Sequence, residues 1–401
     1  MAEAVAEALT DHGAVLAETA VDRAREIAPV IEAAHEAIDV GRELTPEVLA
    51  AMHGAELWRM ALPKSLGGAE LAPPILAQMT EIVAKADASA GWCLGQGTGC
   101  AMSAAFLDDG PASEVFGPAN AVLAWGAGTA GKAIASEGGY NVTGTWKFAS
   151  GSKHATWIGG HCKVFESDGS PRLHSDGRQV DRTALFRRAT VEMHDDWYVM
   201  GLKGTRSEGY TVVDRFVDEG FTLDRDTYTQ CRNPAPLYRF PTTLVYAGCF
   251  SGVALGIARG ALDDLIELAA IKTQRSARSS MRESPVFHTQ IGELEAQFAA
   301  ARSYQQSTLN EVWDVVHETC DLSVENRARI RLACTYAINQ ATDIVHSVYR
   351  LAGSTAIFEN APFERRFRDM NAVGQQMQAR QTHYETVGRL VMGLDSTTPH
   401  M

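Results

Sequence analysis

The chain is short of basic charge. It carries 36 Lys and Arg against 49 Asp and Glu, a formal net charge of −13. A phosphate backbone is gripped by clustered cations, so a nucleic-acid surface is excluded. Two local basic concentrations, IKTQRSARSSMR (271–282) and ERRFRD (364–369), could still hold a single phosphate or pyrophosphate. Cysteine is sparse as well. The seven thiols at 93, 100, 162, 231, 249, 320 and 334 form no CxxC pair and match no metal-ligand spacing, so no metal site is expected. Such scattered thiols fit a reducing compartment. No wholly apolar, uncharged run reaches 18 residues, and no membrane span is expected. The start, MAEAVAEALTDHGAVLAETAVDRAREI, lacks the basic beginning and apolar core of a secretory signal. A cytoplasmic protein is expected.

What is present changes character twice. Residues 1–105 are rich in alanine, with apolar side chains at three-to-four spacing, which predicts helices. Thr45-Pro46-Glu47 reads as a helix start, and PPILAQMTEIVAKAD as a further helix. From about 121 to 225 the helical period fades into short β-rich runs (NVTGTWKF, TWIGGHCKVF, TALFRR, TVEMHDDWYVM, YTVVDRFV) separated by turn residues. Residues 166–182 are polar and read as a surface excursion. After RNPAPLYRFPTT (232–243), helical patterns return over 244–273, 285–318, 323–352 and 365–393. Long helical segments with short connections predict a bundle. The fold class is therefore α+β: a helical domain (1–120), a central antiparallel β domain, sandwich- or barrel-like (121–230), and a C-terminal four-helix bundle (231–401).

Residues 140–161, YNVTGTWKFASGSKHATWIGGH, are chemically the densest stretch. Two strands flank a Gly/Ser-rich turn, with two tryptophans and a histidine around it. Amides, hydroxyls and indole faces so close together suit a planar, polar, aromatic cofactor; an ordinary hairpin with a polar corner is the alternative.

Six stretches then occur in an order that resembles the acyl-CoA dehydrogenase superfamily: LPKSLGGAEL (62–71), DASAGW (87–92), GTWKFASGSKHATW (144–157), WYVMGLKGTRSEGYTVVDRFV (197–217), FSGVALGIARGAL (250–262) and RLAGSTAIFENAPFERRFRD (350–369). Within it the chain looks most like the flavin-dependent monooxygenase branch, the oxygenase components of two-component (group D) hydroxylases. The resemblance implies FAD or FMN as cofactor. By matching position, Ser150 and the amides around Gly151 and Ser152 would bond the flavin's polar edge. Trp157 would pack on the ring or fill the β core. Arg278, with Arg282 as competitor, would meet the cofactor phosphate, and Gly353 and Ser354 of the AGST turn would approach the cofactor. Relatives are usually tetramers in which one subunit completes its neighbour's site, which implies a homo-oligomer.

The two branches of the resemblance demand different residues. A dehydrogenase needs a carboxylate base. Its two usual positions here are Met377, eight residues after Asp369, and Tyr246, ten before Gly256. Neither is a carboxylate, which weighs against an acyl-CoA dehydrogenase. A monooxygenase needs a dry pocket for reduced flavin and O2. Trp92 would be its wall. Cys100 and Gln376 stand where relatives often carry histidines, and neither replaces imidazole as a base. His383 would share Gln376's face on a continuous helix; His154, beside the serine turn, is a further candidate. The small residues of 92–101 (WCLGQGTGCA) hint at room for a bulky ring. No G-x-G-x-x-G is expected after a strand, hence no nucleotide-binding domain on this chain. The reading is an oxygenase that takes reduced flavin from a separate reductase and oxygenates a small, cyclic or aromatic substrate. A flavin dehydrogenase with a divergent base, and a non-catalytic subunit of a mixed oligomer, are the alternatives.

Overall fold

The structure, a computed structural model, describes residues 19–225, 228–273 and 279–394. Helices come first: α1 (19–33), α2 (His35–Gly41), α3 (Pro46–Gly54), α4 (Pro73–Ala86), α5 (Ala88–Ala101) and α6 (Asp109–Phe116). The Thr45 hydroxyl caps α3 by accepting from the Val48 amide at 3.4 Å, with Pro46 in the first turn. Eight strands follow: β1 (Leu123–Trp125), β2 (Gly131–Ser136), β3 (Gly139–Ala149), β4 (Trp157–Phe165), β5 (Asp181–Arg187), β6 (Glu192–Met193), β7 (Glu208–Asp218) and β8 (Thr222–Leu223). The chain then returns to helix in α7 (Thr242–Ile271), α8 (Pro285–Thr319), α9 (Val324–Ala352), α10 (Pro362–Gly374) and α11 (Thr382–Val391).

The strands lie in the order β6-β7-β3-β2-β4-β5-β8, with β1 beside β4. The layer is mixed rather than antiparallel, because β2 and β1 both run parallel to β4. The reason is local. A tight turn reverses β2 into β3, and the Ser150 turn reverses the chain again, landing β4 on the far side of β2. Two reversals restore the direction of β2. The turn at 150–156 thus spans a strand instead of closing a hairpin.

The β layer has its own core around Trp146 and Tyr210, whose rings stack at 5.1 Å. The helices before and after it share a second, continuous core. There α7 packs against α4, α5 and α9. By length and composition α7 could cross a bilayer, but 94% of its apolar window is buried in the protein. Its apolarity belongs to the core.

Two expectations need correction. The pattern 365–393 is not one helix: α10 stops at Gly374, and a short turn, Met377–Ala379, precedes α11. Gln376 breaks the run by going extended (φ −81°, ψ 167°) and accepting the Gln378 amide on its side-chain oxygen at 2.8 Å. A G-x-G-x-x-G spacing also does follow a strand, at Gly126, Gly128 and Gly131. It leads from β1 into β2 and not into a helix, so it lacks the helix N-terminus that a dinucleotide fingerprint uses.

Candidate active site

The site forms where α5 meets the β layer. Asp87 caps α5 by accepting the Ala90 amide at 2.8 Å, and all 14 residues of the helix are buried. Trp92, one turn in, donates its indole N–H to Ser150 Oγ at 3.0 Å. Ser150 Oγ lies 2.7 Å from Ser207 Oγ, which lies 2.7 Å from Thr205 Oγ1. The result is a buried line of hydroxyls leading from the indole into the loop before β7. Gly151 holds φ +80° and donates its amide to Thr205 O at 2.8 Å, while Ser152 Oγ donates to Arg206 O at 2.8 Å. Phe148, at the β3 bulge, adopts φ +64° with 60% of its surface exposed. A bulky residue there is strained, and bulges of this kind re-aim the chain beside sites.

Trp92 also stacks on Phe250 of α7 (4.0 Å, 10°), and Phe250 on Tyr246 (5.2 Å, 8°). The three rings form a ladder between α5 and α7. At its far end Tyr246 OH lies 3.4 Å from Cys100 Sγ. Burial pushes the Cys100 thiol up to about 12, and the Tyr246 phenol is raised by the same cause. Both stay protonated and act only as hydrogen-bonding groups. His154 sits behind the turn, 5.3 Å from the Trp58 ring, and burial pulls its pKa down to about 3. It is therefore a neutral imidazole at ordinary pH. Its Nε2 and Trp58 Nε1 are buried without hydrogen-bond partners.

The glycines of α5 do not leave open room. A Cβ on Gly97 would sit 2.8 Å from the Trp58 ring, and one on Gly99 2.2 Å from the Tyr246 ring. The space expected for a substrate along 92–101 is taken at these positions by the protein's own aromatics. Gly99→Ala should consequently destabilise the protein by about 1–3 kcal/mol through overpacking, read as a lowered midpoint in urea. An unchanged midpoint would remove this account of the helix.

The remaining candidates separate. Trp157 is packed as a core ring, stacked on Phe221 (5.4 Å, 7°) with the Arg187 guanidinium 4.9 Å from its centroid. His383 and Gln376 belong to different elements, against the expectation of a shared face. His383 Nδ1 pairs with Thr335 Oγ1 at 3.0 Å, while Gln376 Nε2 is buried without a hydrogen-bond partner. Gly353 ends α9 at φ 58°, ψ −141°, with Lys272 Nζ and not the serine turn as its neighbour. Ser354 is exposed. Arg278 lies outside the described residues; its competitor Arg282 is exposed.

Sequence reasoning missed Thr205, Ser207, Phe250 and the glycine segment after β1. Ala127 bridges to Lys147 on β3, three residues before Ser150, and Ala127 to Ala130 are exposed. Thr205-x-Ser207, which follows Leu202 (φ 54°) and has Arg206 (φ 44°) as its middle residue, had only its hydroxyls as a signal. The residues present fit a flavin. A glycine turn, converging hydroxyls and the unpartnered buried Nε atoms of His154 and Trp58 lie around the turn that follows β3, with the exposed segment 127–130 bridged to β3 at Lys147.

Residues 248–381 match the family model of the acyl-CoA dehydrogenase C-terminal domain. Those residues, from α7 to the turn before α11, resemble that domain. The chain is 29% identical over 341 residues to the indole-3-acetate monooxygenase of Acinetobacter baumannii, covering 84% of each chain. It is 27% identical over 320 residues to the flavin-dependent monooxygenase oxygenase subunit HsaA of Mycobacterium tuberculosis, covering 77% of this chain and 79% of HsaA. XiaF from Streptomyces sp., solved with FADH2 and glycerol, shares the fold at a TM-score of 0.90 and 22% identity, covering 98% of this chain and all of XiaF.

Proposed function

We propose that the protein is the oxygenase component of a two-component flavin-dependent monooxygenase. It takes reduced FAD or FMN from a separate reductase and, with O2, oxygenates a small aromatic substrate; the name of the Acinetobacter relative points to an indole-type ring. The observation that carries this reading is the Trp92–Ser150–Ser207 line at the serine turn, together with the lack of a carboxylate at both dehydrogenase base positions. Tyr246 occupies one of them as a rung of the ring ladder, and Met377 the other.

A reduced flavin bound there supplies the two electrons with which O2 gives one oxygen atom to the substrate and the other to water. The chain's own residues do the rest. Ser150, held by Trp92, orients the cofactor's polar edge through its hydroxyl. The Gly151 and Ser152 amides, expected to bond the flavin, already donate to Thr205 O and Ala149 O and shape the turn instead. The closed α5–α7 layer excludes water, which strengthens every hydrogen bond inside it. Cys100 and Tyr246 keep their protons and contribute dipoles without taking a proton. His154 Nε2, neutral and buried, is available to a polar atom beside the turn.

We place the protein in the cytoplasm as a homotetramer. All seven cysteines are free thiols, in keeping with a reducing compartment. Beside the Gly353 turn Ile357 and Phe358 stay 65% and 58% exposed, a surface suited to a second copy. The test is turnover of indole under 18O2 with reduced FMN supplied chemically. One labelled oxygen per product molecule is expected; a product carrying oxygen from water, or a desaturated product, would refute the reading.

A further inference from the structure

Residual accessibility inside the helical core is uneven. On α5, Trp92 and Gln96 each keep 9% of their surface, whereas Cys93 and Leu94 keep 1% and Cys100 none. Trp92 and Gln96 are one helical turn apart and share a face. Facing them, Tyr246 keeps 8%, and Ser150 at the turn keeps 7%. Other interior residues keep similar remnants, Phe287 among them at 8%. These four, however, adjoin one another through the Trp92–Ser150 and Tyr246–Gln96 hydrogen bonds. We read their shared exposure as one internal space beside the filled glycine positions of α5. One side of its wall is the flat ladder of Trp92, Phe250 and Tyr246.

Gln96 is the carboxamide of this wall. Its side-chain NH2 donates to Cys100 Sγ at 3.5 Å, and its backbone carbonyl accepts from Tyr246 OH at 3.4 Å. With the amide nitrogen turned to Cys100, the side-chain oxygen is the group left to meet a ligand, and an amide oxygen can only accept.

We infer that Gln96 determines specificity: its side-chain carbonyl accepts the ring N–H of a flat heteroaromatic substrate held beside the Trp92–Phe250–Tyr246 ladder. The inference rests on the reading of this cavity as the oxygenation site and names the substrate feature that the site selects. Cys100 is a positioning residue, because it fixes which end of the carboxamide faces the ligand. A ring without the N–H would leave a buried acceptor unpaired, and that desolvation penalty is the source of discrimination.

Calorimetric titration of the protein loaded with oxidised FMN tests this without turnover. The probes are indole, benzothiophene, which is nearly the same shape without a donor, and 1-methylindole, in which the donor is blocked. Indole should bind about tenfold more tightly than either analogue, the worth of one net hydrogen bond. Gln96→Met keeps the side-chain length and removes the acceptor. It should weaken indole about tenfold and leave benzothiophene within about twofold. Equal losses for both probes, no preference in the unaltered protein, or no indole binding by protein that does bind FMN would each overturn the inference. The comparison with 1-methylindole needs no variant, so misfolding of Gln96→Met leaves a decisive result. If the N–H preference holds but no 18O enters the product, the oxygenase reading falls and the Gln96 assignment survives.

Discussion

Trp92→Ala is expected to destabilise the protein by about 3–5 kcal/mol, the range for truncating a buried large aromatic, and to weaken flavin binding by about tenfold or more. Three losses coincide. The ring leaves a cavity between α5 and α7, where it stacks on Phe250 at 4.0 Å. Ser150 loses the indole donor that fixes its hydroxyl at 3.0 Å. The neighbouring Ser207, 2.7 Å away, is then free to reorient. Trp92→Phe separates the effects. It preserves a stacking ring and removes the donor, so it should lose only about 1 kcal/mol of stability while still weakening flavin binding. Urea unfolding and flavin titration of both variants give the comparison. Equal flavin affinity in all three proteins would show that Trp92 only fills space.

The second large effect is a pH dependence centred on Asp369. This carboxylate accepts the Leu202 amide at 2.6 Å and lies 3.7 Å from Arg365, which also pairs with Asp87 at the start of α5. The group thereby ties α10 to α5 and to the loop that carries Thr205 and Ser207. Burial raises the Asp369 pKa from 3.8 to about 6, against the opposing pull of Arg365. Below 3.8 the carboxyl is protonated in both the folded and unfolded states, and its burial carries no ionic penalty. Between that value and about 6 the folded state binds more protons, so stability falls as pH rises. Above that window the penalty is complete, at about 3 kcal/mol for a shift of about two units. Asp369→Asn removes the titration. The stability of the natural protein minus that of the variant should therefore drop by about 3 kcal/mol between about pH 4 and about pH 7. Other carboxylates cancel in this difference. A difference that is flat, or that rises with pH, would contradict the burial argument.

Local chemistry made much of this fold legible. Thr45-Pro46 announced the start of α3, the three-to-four spacing announced α4 and α7–α9, and the serine turn stood out by composition. What escaped depends on partners distant in the chain. Nothing within residues 131–165 states that β2 will lie between β3 and β4, because strand order is set by which edges meet after both turns have formed. The glycines of α5 suggest open space until Trp58 and Tyr246, far away in sequence, are brought against them. The end of α10 has no proline to mark it. The break comes from Gln376, a residue with ordinary helix propensity, using its side chain to cap the next turn. At the site, Trp92 and Ser150 were each legible as candidates and do meet. Ser207 and Phe250 were not, since a serine in a loop and a phenylalanine in an apolar helix carry no signal of their own.

The account turns on a flavin docking at the serine turn. Anaerobic calorimetric titration with reduced FMN and reduced FAD tests that most directly. It should give saturable binding at one flavin per chain for at least one of the two, tighter than for its oxidised form and weakened in Trp92→Phe. Folded protein that takes up neither flavin in either redox state would contradict it.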